Sequence, residues 1–342
     1  MSKSNQLLSQ RLGVAVLGIC AAFVLWPVAQ WAVLDAVWSG SAEACAAASG
    51  ACWAFIRLRL QFLLFGFYPP EQFYRAIAVI LIAVGVVLLI THVRFVREKL
   101  ARVYVAIFLA FVVSVCLLRG DGLVLANVPS RLWTGFTLTV TVAFGGVALG
   151  LALGTLLAFG RNYGGSLLST TCMVVIETLR ALPSVVTMFI VIVVSPYVLP
   201  AWVGESMFFR IMLGFVLVAA AFYAEALRGA LLTFAKGQGE AAISLGMKSP
   251  TVYLEVILPQ VVALSFPALM NISLMVFKDT VLILAFGYYE LLGAANASIN
   301  TQEWNGFAPE MFIFVYAVFW SSCSLISRAG RAVERNLYVR KV

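Results

Sequence analysis

Apolar residues run through this chain in long stretches, each bounded by short polar or charged segments. A helix that crosses the hydrocarbon core of a bilayer needs about 20 predominantly apolar residues, and several stretches approach or exceed that length. The apolar stretches lie at 12–34, 74–93, 103–118, 133–159, 167–195, 209–234, 261–287 and 311–327. This pattern predicts an all-α, polytopic transmembrane protein of about eight helices.

The composition agrees with a membrane as the main solvent. The 342 residues are 63% hydrophobic and 11% charged, whereas soluble domains are about half apolar and a quarter charged. The net charge of +8 does not indicate a nucleic-acid partner, because the basic residues lie in short clusters between apolar spans. Fifteen of the 23 Lys and Arg residues fall on the side of the N-terminus and six on the other side. The excess of basic residues on cytoplasmic connections therefore predicts that both termini are cytoplasmic.

A natural division falls near Ser130. It separates an N-terminal region at 1–129, with three spans and an outer loop, from a region at 130–342 with five spans. The outer loop contains Cys45 and Cys52, which lie outside the apolar stretches. An oxidising compartment permits a disulfide between them. Two unpaired thiols are the alternative, because the residues between the cysteines determine whether bonding geometry is reached.

The polar connection at 236–259 is long for a turn between two membrane spans. Its residues Glu240 to Leu245 are good helix formers, and Gly246 can take the left-handed conformation that ends a helix. Ser249 and Pro250 then suit the start of a second short helix. A solvated loop is the alternative, but a loop does not need two helix signals. The segment therefore predicts a helix, a sharp corner and a second helix on the cytoplasmic side.

The same segment resembles a known family. Glu240-Ala241-Ala242, then Gly246 and Val256-Ile257-Leu258-Pro259, is similar to the EAA loop of ABC importer permeases, the cytoplasmic coupling helix that docks on the ATPase. Similarity to the polar amino-acid branch of that family is carried by Glu177-Thr178-Leu179-Arg180 with Pro183, by Lys278-Asp279-Thr280 and by Glu290-Leu291. The resemblance covers about residues 130–335. The N-terminal spans look like those of the extended permeases of general L-amino-acid importers.

The resemblance implies a five-helix, type I-like ABC permease core with three extra N-terminal helices, in the bacterial inner membrane. It implies that Glu240, Ala241, Ala242 and Gly246 couple the chain to ABC ATPase subunits, with the two alanines giving the helix a face without bulk. The other implied partners are a second permease, identical or homologous, and an extracytoplasmic amino-acid-binding protein. The chain itself is expected to bind no cofactor, since ATP and Mg²⁺ are used by the ATPase.

Charged side chains inside apolar spans are expensive to bury and are candidates for function. Glu177 and Arg180 are three residues apart on one helix face, which predicts a structural ion pair. Lys278 and Asp279 are adjacent, so they point about 100° apart around a helix and cannot easily pair. A zwitterionic amino acid offers both signs of charge, whereas neighbouring helices are the alternative partners. We assign Lys278, Asp279 and Asn271 to the substrate pathway.

Other function classes receive less support from the sequence. Nothing resembles the phosphate-binding loop GxxxxGK[ST], a zinc-binding HExxH or a catalytic triad, so the chain is not expected to be an enzyme or to hold a metal. A secondary transporter or channel that works without an ATPase is the main alternative, because eight helices with charges inside the membrane suit it too. The spacing of the EAA-like segment favours the permease of an ATP-driven importer of polar or general L-amino acids.

Overall fold

A computed structural model describes residues 25–92, 100–233 and 237–338, together with Gly13, Val16, Gly18, Ala22 and Phe23. Helices are the regular elements of this described part. In chain order they are α1 Leu25–Leu34, α2 Ala42–Ala47, α3 Trp53–Phe65, α4 Phe73–His92, α5 Leu100–Arg119, α6 Gly135–Tyr163, α7 Ser166–Ala181, α8 Ser184–Val198, α9 Ala201–Gly204, α10 Met207–Thr233, α11 Gly237–Ser244, α12 Ser249–Thr251, α13 Leu258–Asp279, α14 Leu291–Ile299 and α15 Ala308–Tyr338.

Six helical stretches of the described residues are long and apolar enough to cross a membrane. They are Pro70–Thr91, Ala101–Arg119, Gly135–Tyr163, Met207–Thr233, Val252–Phe286 and Ala308–Arg335. Each coincides with a span predicted from the sequence, which confirms the all-α, polytopic fold class. Of the first predicted span, at 12–34, eight residues lie outside the described part, and its described end forms the shorter apolar helix α1. The division of the chain at Ser130 stays a prediction.

The span predicted at 167–195 is not one straight helix. It consists of α7 and α8, which are bent by 113° relative to each other. The break falls at Pro183, which lacks an amide hydrogen and pushes the preceding residue out of the helical region. Leu182 is accordingly extended, with φ −91° and ψ 142°. Together, the two helices add a seventh crossing if the pair is counted as one broken span.

The chain forms two compact units, one built from the residues up to Gln61 with Ala295–Tyr316, the other from Phe62–Ala294 with Ala317–Val342. In the smaller unit a disulfide joins Cys45 and Cys52, whose Cα atoms are 5.5 Å apart. The Cys52 amide donates to the buried Glu310 carboxylate at 3.0 Å. The ring of Phe55 stacks on Trp304 with centroids 4.7 Å apart. A covalent bond, a hydrogen bond to a buried carboxylate and an aromatic stack thus hold the segments of this unit together.

In the larger unit α6 and α10 form the central contact. The α6 face toward α10 carries Gly150 and Gly154, one turn apart. A Cβ atom added to Gly154 would lie 2.7 Å from the Cβ of Tyr223. One added to Gly150 would lie 2.6 Å from the Cβ of Ala219. Small residues on a membrane helix let two backbones approach closely, so this contact depends on the missing side chains.

Candidate coupling helix and charge cluster

The segment between α10 and α13 contains the predicted helix, which is α11, Gly237–Ser244. Glu240, Ala241 and the large apolar side chain of Ile243 are exposed on it, and Leu245, directly after the helix, is exposed as well. Ala242, in contrast, is buried in the hydrophobic core of its own chain. Of the two alanines, therefore, only Ala241 is presented outward, and the coupling role of these residues stays a prediction.

The corner after α11 is made by Gly246, whose φ is +84°. Its amide donates to the Ile243 carbonyl at 2.9 Å, and the Met247 amide donates to the Ala242 carbonyl at 3.2 Å. These bonds satisfy carbonyl groups that the end of a helix leaves unpaired. A Cβ added to Gly246 would meet nothing within 4 Å. The requirement for glycine here is therefore conformational and not steric.

α11 is also tied to the base of α13. The Gln260 side-chain amide donates to the Gln238 side-chain carbonyl at 2.7 Å and to the Val256 carbonyl at 3.0 Å. Between α12 and α13 the backbone forms a wide, π-helical turn over Val252–Ile257. α11 thus presents an exposed face to the surroundings while its other side is anchored to a membrane span.

Five charged side chains meet where α6, α7 and α10 come together. They are Arg161, Glu177, Arg180, Glu225 and Arg228, which we call the charge cluster. Arg228 contacts Glu225 through two hydrogen bonds, at 2.5 and 2.9 Å. Arg180 lies 3.4 Å from Glu225 and 3.7 Å from Glu177. The predicted Glu177 and Arg180 pair is therefore one edge of a larger network.

The shortest contact of Glu177 is with Arg161 of α6, at 2.9 Å. Arg161 also lies 3.7 Å from Glu225, so it links α6 to both α7 and α10. Three arginines share two carboxylates, so the cluster has an excess of one positive charge. The Arg180 Nε atom is buried without a hydrogen-bond partner. Sequence reasoning found one pair and missed the other three residues. The three-residue spacing of Glu225 and Arg228 at the end of a span was the available signal.

The residues assigned to the substrate pathway lie on α13 but face different ways. Asp279 is half-buried, and the side chain of Ser184, the first residue of α8, lies near its carboxylate. Lys278 is exposed, with its ammonium near Cys323 of α15. Asn271 is exposed as well. The two adjacent charges do not pair with each other, in accordance with their angular separation on a helix.

A buried carboxyl group, that of Glu290, lies at the start of α14. In the sequence, Glu290 was noted only as part of a motif. Glu290 is fully buried, accepts from the Gly293 amide at 2.9 Å and is contacted by the Thr139 hydroxyl at 3.4 Å. Burial raises the pKa of Glu290, which lies outside the membrane-spanning stretches, to about 7. The carboxyl caps the N-terminus of α14, where acceptors are favourable, and joins that end to α6.

Within the part of the chain that the structure describes, no group of three or more His, Cys, Asp or Glu side chains is arranged to hold a metal ion. The charged groups of the cluster and the Glu290 carboxyl are instead ion-paired or hydrogen-bonded to neighbouring helices. A bundle of apolar spans, an exposed helix between two of them and charges near the helix ends together define a multi-pass membrane protein.

The comparisons with known proteins narrow this class. The chain belongs to the family described as "Binding-protein-dependent transport system inner membrane component", which matches residues 146–338. It is 30% identical over 327 residues to the inner membrane amino-acid ABC transporter permease protein YhdY of Escherichia coli K12, covering 94% of this chain and 89% of that protein. The permease is thus a subunit of an ABC transporter.

Two further comparisons show similarity. The chain is 27% identical over 392 residues to the glutamate/glutamine/aspartate/asparagine transport system permease protein BztC of Rhodobacter capsulatus, covering 95% of this chain and 90% of that protein. A solved structure described as "Crystal structure of an amino acid ABC transporter with histidines" aligns with a TM-score of 0.49 at 22% identity, covering 59% of this chain and 91% of that chain.

Family membership decides several of the expectations drawn from the sequence. Permease subunits of this family are not themselves enzymes, and ATP hydrolysis lies in a partner chain. Members act with ABC ATPase subunits and a binding protein. The secondary transporter or channel alternative receives no support from these relatives.

Proposed function

We propose that this chain is the permease of an ATP-driven importer of polar or general L-amino acids in the inner membrane of a bacterium. The names of its relatives support the substrate class, since YhdY is named an amino-acid permease and BztC a permease for glutamate, glutamine, aspartate and asparagine. The single observation that carries the coupling role is the exposed helix α11, ended by the left-handed Gly246 and anchored to α13.

In this proposal α11 docks on an ABC ATPase subunit on the cytoplasmic side, where both termini also lie. Glu240 offers charge-assisted hydrogen bonds to a basic partner residue, and Ile243 and Leu245 supply apolar contact area that is exposed in the isolated chain. Because Gln238 and Gln260 bond α11 to α13, movement of α11 is passed to a membrane span. ATP and Mg²⁺ are bound by the ATPase, whose ATP-bound and ATP-free states supply the differential contacts that a conformational change requires.

The remaining partners follow from the same proposal. A second permease, identical or homologous, completes the membrane part, and an extracytoplasmic binding protein delivers the amino acid. Mass spectrometry of the complex purified through a tag on this chain tests the composition. Recovery of this chain without any ATPase subunit, under conditions that preserve membrane complexes, would overturn the proposal.

Changing the corner of α11 tests the coupling role directly. Gly246→Val places a β-branched residue at φ +84°, which costs roughly 1–2 kcal/mol and redirects the helix. Glu240→Lys reverses a charge that faces the partner. We expect both variants to insert normally and to lose ATPase association or substrate-stimulated hydrolysis in proteoliposomes.

Gly122→Val is the matched control for this experiment. Gly122 has φ +75° and an added Cβ there also meets nothing within 4 Å, so the conformational strain is the same but far from α11 in the sequence. The control variant should keep ATPase association. Normal association and hydrolysis in both Gly246→Val and Glu240→Lys would remove the coupling role from α11.

The substrate pathway is proposed to pass Lys278, Asp279 and Asn271, because an ammonium and a carboxylate that do not pair can meet the two charges of an amino acid. Lys278→Met and Asp279→Asn should then reduce amino-acid uptake about tenfold while the complex still assembles, since a hydrogen bond to a charged group contributes about 1.5–3 kcal/mol. Glu205→Gln, at an exposed carboxylate, is the control. Uptake at the wild-type rate in both assembled variants would exclude these residues from the pathway.

A further inference from the structure

The loop between α5 and α6, residues 120–129, holds two adjacent apolar side chains away from the rest of the chain. Leu123 is 92% exposed and Val124 is 88% exposed. No large apolar side chain of the described residues is more exposed than that of Leu123. We call these two residues the apolar tip. Single apolar residues are common on protein surfaces, but the apolar tip is a pair at the end of a loop, and a contact there would remove its area from water.

The backbone of the apolar tip does not need water as a partner for its amides. One oxygen of the Asp121 carboxylate accepts hydrogen bonds from the amides of residues 123, 124 and 125, at 3.1, 3.0 and 2.7 Å. The Gly122 amide donates to the Leu125 carbonyl at 2.8 Å. Four consecutive amides are thus paired within the loop. Water would satisfy them in an ordinary surface loop, whereas a loop that enters an apolar phase must pair them internally.

The two ends of the loop fix the position of the apolar tip. The Val128 amide donates to the Arg119 carbonyl at 2.8 Å, which closes the loop at its base. The guanidinium of Arg75, a buried residue of α4, donates to the Ala126 carbonyl at 2.8 Å. The loop is therefore anchored on both α4 and α5. Because it is already ordered, the apolar tip loses little conformational freedom when it makes a contact.

The surroundings of the apolar tip favour the bilayer as its partner. One face of α5 exposes small and apolar side chains about one helical turn apart, namely Val105, Leu109, Val113 and Cys116. Because α5 lies outside the residues that match the family, the contacts shared by the family do not account for this face, and lipid tails suit it. The face ends at Arg119, the last residue of the span. Leu123 follows by four residues and thus lies within about 14 Å of Arg119.

A separate protein is the alternative partner, and two arguments count against it. A stable protein interface buries about 800 Å² on each partner, far more than two aliphatic side chains supply. Association of two proteins also costs translational and rotational freedom. The bilayer is already adjacent, because α5 and α6 both cross it, so insertion of the apolar tip does not incur that cost.

We propose that the apolar tip inserts into the membrane interface, with Leu123 and Val124 at the boundary between headgroups and acyl chains and the Asp121 carboxylate among the headgroups. The backbone amides, that of Leu125 most strongly, lower the pKa of Asp121, so this carboxyl group stays ionised and outside the hydrocarbon. The inserted tip holds the connected ends of α5 and α6 at a fixed depth. This contact with lipid is separate from the coupling role of α11 and from the substrate pathway.

Fluorescence quenching in proteoliposomes measures the depth of the apolar tip. The full chain is purified with the subunits that accompany it, and Cys116→Ala with Cys323→Ala removes its accessible thiols. Leu123→Cys in this background is labelled in detergent with an NBD maleimide before reconstitution, and the signal of the background protein is subtracted. Iodide quenches a label in water. Lipids with a spin label near the headgroup or near the end of the acyl chain quench shallow or deep labels.

Two further labelling positions and two carboxylate variants are the controls. Leu109→Cys places the label midway along the exposed face of α5. Asn127→Cys places it at an exposed polar position of the same loop. Asp121→Ala, combined with Leu123→Cys, leaves the three amides at the tip without their acceptor. Glu71→Ala removes another exposed carboxylate and is the matched control.

We expect the label at position 123 to be shielded from iodide and to be quenched more by the shallow spin label than by the deep one. The label at position 109 should be quenched more by the deep spin label, and the label at position 127 should be quenched by iodide. Asp121→Ala should shift the quenching at position 123 from lipid toward iodide, because unpaired amides favour water. Glu71→Ala should not change it.

Quenching at position 123 by iodide and by neither spin-labelled lipid would overturn the proposal. Protection of this label only after an extracytoplasmic binding protein is added would identify a protein as the partner, which also overturns it. Shielding from iodide and from both lipids would show that another subunit covers the tip, with the same consequence. Leu123→Cys and Asn127→Cys alter exposed side chains and are expected to fold, so they decide the question even where Asp121→Ala is poorly recovered.

Discussion

Two faces of one helix, α6, are packed in opposite ways. Toward α10, Gly150 and Gly154 leave no room for a single added carbon, since a Cβ would lie 2.6 to 2.8 Å from atoms of α10. Toward α4 and α5, Val140, Val147 and Leu151 line a cavity of about 220 Å³. The same helix thus takes part in a closely packed contact and in a contact that leaves a cavity.

The difference shows that close packing is concentrated in one helix contact, whereas another contact of the same helix leaves space. Lipid tails are as apolar as leucine, so helices associate in a bilayer through close packing and not through hydrophobicity alone. The α6 and α10 contact meets that requirement with missing side chains. The contact with α4 and α5 does not, and these two helices also lie outside the residues, 146–338, that match the family. The closely packed contact of Gly150 and Gly154 with α10 therefore lies within the part of the chain that matches the family.

The largest expected effect is at the glycine contact. Gly154→Val would place a Cβ 2.7 Å from that of Tyr223 and 2.8 Å from the Ala220 carbonyl oxygen. Overpacking of this kind costs about 1–3 kcal/mol and occasionally more, and here backbone atoms must move. We expect Gly154→Val to lower the unfolding temperature in detergent sharply or to prevent recovery of monodisperse protein.

Gly85→Val is the control for that substitution. Gly85 lies in α4, and a Cβ added there meets nothing within 4 Å. Its variant should elute and unfold like the wild type. If the two variants were equally stable, the contact between α6 and α10 would not depend on the missing side chains, and the contrast between the two faces of α6 would be lost.

A smaller effect is expected from truncating one leucine on each side of the comparison. Leu227 of α10 is fully buried in the main core, so Leu227→Ala should destabilise the protein by about 3 kcal/mol. Leu151 lines the cavity and already lacks contacts on one side, so Leu151→Ala should cost about 1 kcal/mol. Thermal unfolding of the two variants in the same detergent measures the difference. Equal losses would mean that the cavity face is packed as well as the core.

The smallest expected effect concerns the charge cluster at the far end of the α6 and α10 contact. Glu225→Gln leaves three arginines with one carboxylate, but the side chains are partly exposed and screened. We expect a loss of about 1 kcal/mol that shrinks at high salt. Glu255→Gln, at an exposed carboxylate without a close arginine, should be neutral. A salt-independent loss in Glu225→Gln would point to packing and not to charge as the cause.

The parts of the candidate site that depend on residues close together in the sequence were predictable. α11 and the left-handed Gly246 follow from helix propensities and the conformational freedom of glycine, and the structure has both. The pairing of Cys45 and Cys52 was left open between a disulfide and free thiols, and the structure joins them. Arg161 was missed because its partners, Glu177 and Glu225, lie on other helices. No pattern within one helix reveals such a contact.

By itself the sequence determined the class of protein, six of the spans and the helix and corner at 237–246. These depend on how many apolar residues follow one another and on the backbone preferences of single residues, which are local properties. Only the tertiary structure decided the 113° angle at Pro183, the burial of Ala242, the five-residue charge cluster and the cavity beside α6. Each of these depends on which faces of separate helices meet. In a chain that is apolar almost all round its helices, hydrophobic periodicity cannot specify that choice.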